Sequence, residues 1–375
     1  MIKPSRSLYY LGQRDEQLED RSTARCDVVP ECECSGGCGT TAPGGSTGGN
    51  PPPSPKLLHS YYTGGSANNL LSSATDGLNF ATEIMQALPS ASLSLAKWVH
   101  AGFSNGRTCH FAGGTHRTTG TIGLPNAFTA TSDAIDLSTD TSSAESSLNT
   151  ARGTAMGVGN QDIGYVIGGY GTSVLALYAE AYDYATGTYT NQSGTMQSLG
   201  VFGTEQLVYE AGETSNLTHG YILGGVYWIT PVRISSIDVV TFATATVSTM
   251  GSSSSELRSD IAAAGNATVG YYLGGDKSVF PSSELTVTQL VESLTYATDS
   301  LAVTSSTSFK IMDASATGTD TYLYMCGGYL GDVAAAWLSG CSRVEYATGT
   351  LSEIASATLT SGPRSSMEAA GTSFY

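Results

Sequence analysis

Few of the side chains that carry enzyme chemistry stand at catalytic spacing in this 375-residue sequence. Five histidines are scattered through it, at His59, His100, His110, His116 and His219, and no two form the H-x-H or H-x-x-x-H pairs that grip a metal. Neither a phosphate-cradling G-x-x-x-x-G-K-[ST] loop nor an H-E-x-x-H pair is present. Cys26, Cys32, Cys34 and Cys38 form C-x5-C-x-C-x3-C, a set that could offer four thiolates to zinc. The paired C-x2-C knuckles of zinc modules are missing, so no metal is expected, and loop cysteines paired with each other or with a partner are the preferred reading. Cys109 adjoins His110 in a strand-like run, where burial accounts for it. Cys326 and Cys341 flank one hairpin; a disulfide between them is open, and two buried thiols are the preferred reading. No cofactor is expected.

The elements that would position these groups are short strands. Charged residues make up only 13% of the chain, whereas glycine and tyrosine are abundant at 45 and 21 copies. Short β-branched and aromatic runs punctuated by glycine replace long helical stripes, which favours an all-β fold. The net charge of −16 sits mostly beyond residue 55: 11 basic and 25 acidic side chains from Lys56 onward give −14. Such a surface repels phosphate backbones and anionic lipid, so neither a nucleic-acid partner nor membrane insertion is expected. No apolar stretch approaches a membrane span. Met1–Gln13 carries Lys3 and Arg6 without an apolar core, so no Sec signal is expected.

Three signatures recur. An aromatic or aliphatic run ends in Gly-Gly six times, with first glycines at Gly64, Gly113, Gly168, Gly224, Gly274 and Gly327, spaced by 49, 55, 56, 50 and 53 residues. After each comes a strand ending on Phe80, Leu137, Tyr184, Phe242, Tyr296 or Tyr346, a residue expected to pack between neighbouring units before a turn. In five units Lys97, Arg152, Arg258, Lys310 or Arg364 precedes a strand of small residues, as suits strands crowded near an axis. This pattern resembles the kelch repeat, although the usual tryptophan is absent and the acidic partner recurs only in part, as Asp136 and Asp183. The resemblance covers Leu57–Tyr375, about 85% of the chain. It implies a six-bladed β-propeller over residues 56–375. Because the last unit lacks its Gly-Gly strand, the segment from about Met367 to Phe374 is expected to pair with His59–Thr63 and close the ring.

Residues 1–55 are read as a docking arm and tether. Leu8, Tyr9, Tyr10 and Leu11 could dock, and a Gly/Ser/Pro-rich tract that cannot bury a core follows. Loops after the double glycines should emerge on one face, carrying His116, Arg117, Tyr170, Tyr227, Trp228, Asp276, Lys277, Tyr329 and Trp337. Aromatics beside polar groups in such loops are candidate ligand-binding residues, while Trp228 and Trp337 could equally pack between blades.

Some propellers of this architecture are copper oxidases of the galactose-oxidase type, which use tyrosine, histidine and a cross-linked cysteine; burial of Cys109 is preferred here, and no enzyme is expected. The repeat wording, rich in Ser, Thr and Ala, resembles propeller modules of tailed-phage structural proteins, particularly of cyanophages. That resemblance implies a virion tail, baseplate or fibre component used for host attachment or virion decoration. Its partners would be other virion proteins through the arm and a host-surface glycan or protein, within a larger oligomeric assembly. A bacterial surface or secreted sugar-binding propeller is the alternative.

Overall fold

The computed structural model describes residues 59–371 except 68–69, 117–126, 172–178, 193–207, 228–231, 280–284, 308–309 and 331–335. The docking candidates Leu8, Tyr9, Tyr10 and Leu11 and the cysteines Cys26, Cys32, Cys34 and Cys38 lie outside the described residues. Apart from one 3-10 turn at Pro89–Ala91, the regular elements described are strands. No described helix is long and apolar enough to cross a membrane.

Among the described residues, six four-stranded antiparallel sheets dominate a β-propeller-like fold. The first joins Glu368–Gly371, His59–Thr63, Thr75–Asn79 and Ile84–Ala87, so among the described residues the latest strand pairs with the earliest, with Ser60 opposite Gly371. The second joins Ala101–Ser104, Thr108–Ala112, Ser132–Asp136 and Thr141–Ala144. The third joins Met156–Gly159, Ile163–Ile167, Glu180–Asp183 and Thr188–Asn191. The fourth uses Gly212–Ser215, His219–Leu223, Ser236–Thr241 and Thr246–Ser253. The fifth uses Ala262–Gly265, Val269–Leu273, Leu290–Thr295 and Ser300–Ser306. The sixth uses Ser315–Gly318, Tyr322–Cys326, Gly340–Glu345 and Leu351–Thr358.

Residue size grades across each sheet because packing does. First strands are rich in Gly, Ala, Ser and Thr, two of them (Ala262–Gly265 and Ser315–Gly318) entirely so, and lie against the first strands of neighbouring sheets. A Cβ on Gly157 would come within 2.2 Å of the Gly102 carbonyl, so only glycine fits. The Gly-Gly strands are buried along nearly their whole length, whereas the outermost strands alternate toward solvent. The recurring ring at the end of the third strand packs on the preceding sheet. Phe242 stacks on Tyr165 at 5.7 Å and Tyr296 on Tyr221 at 4.6 Å. Phe80 of the first sheet likewise stacks on Tyr324 of the sixth at 4.9 Å.

Both glycines of every pair have positive φ. The second glycine's amide donates to a carbonyl that leads into the next sheet: Gly65 to Lys97, Gly114 to Arg152, Gly169 to Val208, Gly225 to Arg258, Gly275 to Ile311 and Gly328 to Arg364. These contacts define one equivalent position per sheet. Four of its six occupants are the bases expected from sequence. Lys310, however, stands one residue early, and buried Ile311 takes the position. In the fourth sheet it is Val208.

The four bases are buried against a carboxylate of the same sheet. Lys97 pairs with Asp133 at 3.2 Å, Arg152 with Glu180 at 2.8 Å, Arg258 with Glu292 at 2.6 Å, and Arg364 with Asp76. Each also caps main-chain carbonyls, as Arg258 Nη1 does at Gly274 O (2.8 Å) and Arg364 Nη1 at Gly64 O (2.9 Å). Burial lowers the pKa of all four, and the paired carboxylate opposes that shift.

Cys326 and Cys341 form a disulfide, correcting the preference for two thiols. They occupy directly opposed positions on adjacent strands, close enough for a bond to form.

Candidate ligand-binding face

The double glycines lie at one end of their strands, and short accessory strands extend from that end. They pair as Thr115–His116 with Ala127–Phe128, Arg152–Gly153 with Tyr170–Gly171, and Tyr329–Leu330 with Ala336–Trp337 and with Ile311–Met312. Two aromatic pairs stand on these strands. Tyr170 meets Phe128 edge-on at 4.8 Å, and Tyr329 meets Trp337 edge-on at 6.0 Å. All four rings are half-buried. A ring that keeps part of its surface in water while fixed by a neighbour can pack on a ligand at small entropic cost. Phe128 was not foreseen from sequence. Only its register opposite Thr115 and its edge-on contact with Tyr170 bring it to the face.

The other candidates divide. His116 is half-buried on its short strand. Tyr227 is buried in the core with Val208 and Ile234. Asp276 is buried in an ion pair with Arg233, which also donates to Ser278 O and to Ser259 Oγ. That pair explains its place: a carboxylate held by a buried arginine is committed to the scaffold. Lys277 pairs with Glu256 at 2.7 Å near the surface. Arg117 and Trp228 lie outside the described residues.

A second feature at this end was not read from the sequence. Two residues beyond the base position stand Val99, Thr154, Glu210, Asp260, Asp313 and Ser366, all with φ between 48° and 59°. Each amide donates to the carbonyl of its counterpart in the preceding sheet. Thr154 donates to Val99, Glu210 to Thr154, Asp260 to Glu210, Asp313 to Asp260, Ser366 to Asp313, and Val99 to Ser366. The six bonds form an unbroken cycle. Residue identity varies too widely for a motif search to find it; the shared signal is position relative to the base.

Within this cycle a narrow cleft runs along the first strands, with Glu213 and Glu368 deeper inside. Burial pushes Glu213 up to about 8 and raises Glu368, with the charge of Glu213 adding to the latter. Burial and then the charges of Glu210 and Asp313 raise Asp260, and burial lifts Asp313 to about 6. The cleft holds only about 100 Å3 at this end, below the roughly 300 Å3 at which small-molecule sites begin.

No group of three or more metal-type ligands is assembled among the described residues. Cys109 is buried, and desolvation pushes its thiol up to about 12, the condition of an unreactive cysteine. Gly102–Gly106 spells G-x-S-x-G, yet Ser104 ends a strand at a hairpin and donates its hydroxyl to Thr108 O at 3.0 Å. A nucleophile elbow requires a strand-to-helix turn instead.

No family model matches the chain, and no curated protein is similar to it. Among solved structures it is similar to the bacterial protein YjhT, at a TM-score of 0.60 and 10% identity, over 80% of this chain and 98% of that one. At that identity the likeness is one of fold alone.

Proposed function

We propose that the six four-stranded sheets are blades of a closed, six-bladed kelch-like propeller. The chain is read as a non-enzymatic structural protein of a tailed-phage virion that presents this propeller for host-surface attachment. Closure is supported by the pairing of Glu368–Gly371 with His59–Thr63 and by the hydrogen-bond cycle through Val99 and Ser366.

One observation carries the binding role. Buried ion pairs near the double glycines, Arg152–Glu180, Arg258–Glu292 and Arg233–Asp276, are spent on the scaffold, whereas the aromatic pairs Phe128–Tyr170 and Tyr329–Trp337 stand on short accessory strands with their rings half-buried. A stiff frame with aromatic anchors on appended strands suits recognition. The virion setting rests on the likeness of the repeat wording to phage modules.

Mass spectrometry of purified particles should find the chain among virion proteins; particles without it would remove that setting. Trp337→Ala should weaken binding of the purified protein to host cells about tenfold or more, as loss of an aromatic anchor does. Undiminished binding would show that the ligand lies elsewhere.

A further inference from the structure

At the opposite end of the sheets, between the sixth and the first, lies a groove of about 560 Å3. That is within the range of roughly 300–1,000 Å3 usual for small-molecule sites. Two turns wall it: Phe80–Glu83, which follows the third-listed strand of the first sheet, and Thr319–Tyr322, the first hairpin of the sixth. Tyr324 and Arg343 complete the lining.

Comparison among the sheets singles out Arg343. The residue opposite the middle of each Gly-Gly strand is uncharged and compact in the other five: Gly77 opposite Tyr61, Ala134 opposite His110, Ala181 opposite Tyr165, Val239 opposite Tyr221 and Ser293 opposite Tyr271. In the sixth sheet Arg343 stands opposite Tyr324. The fold works five times without a charge here, so the arginine answers to something other than the repeat.

Its surroundings define a chemistry. The guanidinium lies over the Tyr322 ring at 4.8 Å, Nη1 donates to Glu83, and Nε donates to Ser352 Oγ at 3.3 Å. The bond to Glu83 links the two sheets and holds the arginine in place. Among the described residues Nη2 makes no hydrogen bond. The turns add the exposed residues Thr82, Asp320 and Thr321, half-buried Thr319, and the half-exposed ring of Tyr322. One cation against two carboxylates leaves the groove with a net negative charge, which disfavours anions. Hydroxyls and a carboxylate on the rim make a purely apolar guest equally unsuited.

We propose that this groove is a binding site for a neutral hexopyranose. Nη2 of Arg343 and the carboxylate of Asp320 take its hydroxyls as donor and acceptor, and Tyr322 packs on its C–H face. The proposal concerns the opposite end from the aromatic pairs and does not depend on the virion setting.

The test is titration of the full-length protein with D-glucose, D-galactose, D-mannose and N-acetyl-D-glucosamine, followed by calorimetry and by saturation-transfer NMR. At least one sugar should bind saturably. Tyr322→Ala and Asp320→Ala should each weaken that binding about tenfold, as expected when a contact of this kind is lost, and Trp337→Ala should leave it unchanged. Arg343→Ala also removes an ion pair between sheets, so Asp320→Ala, on an exposed turn, carries the test. Its main-chain carbonyl still accepts from Asn266 Nδ2, and an unaltered melting temperature would show the fold intact. Failure of all four sugars to saturate the native protein, or equal binding by native protein and Asp320→Ala, would overturn the proposal.

Discussion

Arg152, Arg258 and Arg364 illustrate how a buried charge is tolerated at the scale of one residue. Each faces a carboxylate and at least one main-chain carbonyl, so most donors of the guanidinium fork find acceptors. Breaking one such pair strands its partner in the interior. Arg152→Met should therefore cost about 3–5 kcal/mol, read as a lower urea midpoint, and Arg152→Met with Glu180→Leu should recover part of the loss. The fourth sheet shows a natural version of the lost base: Val208 replaces it, and Asp238 accepts from Thr249 Oγ1 at 2.6 Å. The bases could be read from the sequence because each precedes a run of small residues. Their acids could not, since Arg364 and Asp76 are 288 residues apart and Arg152 and Glu180 only 28. Asp276 was misplaced for the same reason, its arginine lying 43 residues away.

Among elements, the double glycine is where one sheet is fastened to the next. Its positive φ values and the carbonyl 2.2–2.6 Å from a would-be Cβ at Gly64, Gly113, Gly224, Gly274 and Gly327 leave glycine as the only fit. That requirement falls on residue type, which is why the repeat was legible. The cycle from Val99 to Ser366 was not, because left-handed backbone is imposed there by bonds between sheets rather than by a residue suited to it. The sixth sheet carries an additional constraint, the disulfide closing a separation of 15 residues. Cleaving a loop of that size should cost about 3 kcal/mol. Reduction, or Cys326→Ser with Cys341→Ser, should lower the melting temperature without changing the circular-dichroism signature of the strands. An unchanged melting temperature would mean that the bond adds nothing to stability.

Over the whole molecule, carboxyls gather in the narrow cleft along the first strands. Glu213, Glu368, Asp260 and Asp313 all hold protons more tightly when folded than when unfolded. The folded state then binds more protons than the unfolded one, so stability falls as pH rises from the unfolded carboxyl range near about 4 toward the Glu213 value of about 8. Unfolding midpoints should be higher at pH 5 than at pH 8, and Glu213→Gln should flatten the difference. A midpoint that rises with pH over this interval would contradict that account.

The pairing of Glu368–Gly371 with His59–Thr63 has a consequence in time. Residues some 300 positions apart meet across this seam, so the first sheet cannot be completed until Gly371 has been synthesised. Throughout translation the nascent chain carries a bare strand edge open to a foreign partner. A ribosome that stops early releases an adhesive fragment instead of a smaller working molecule.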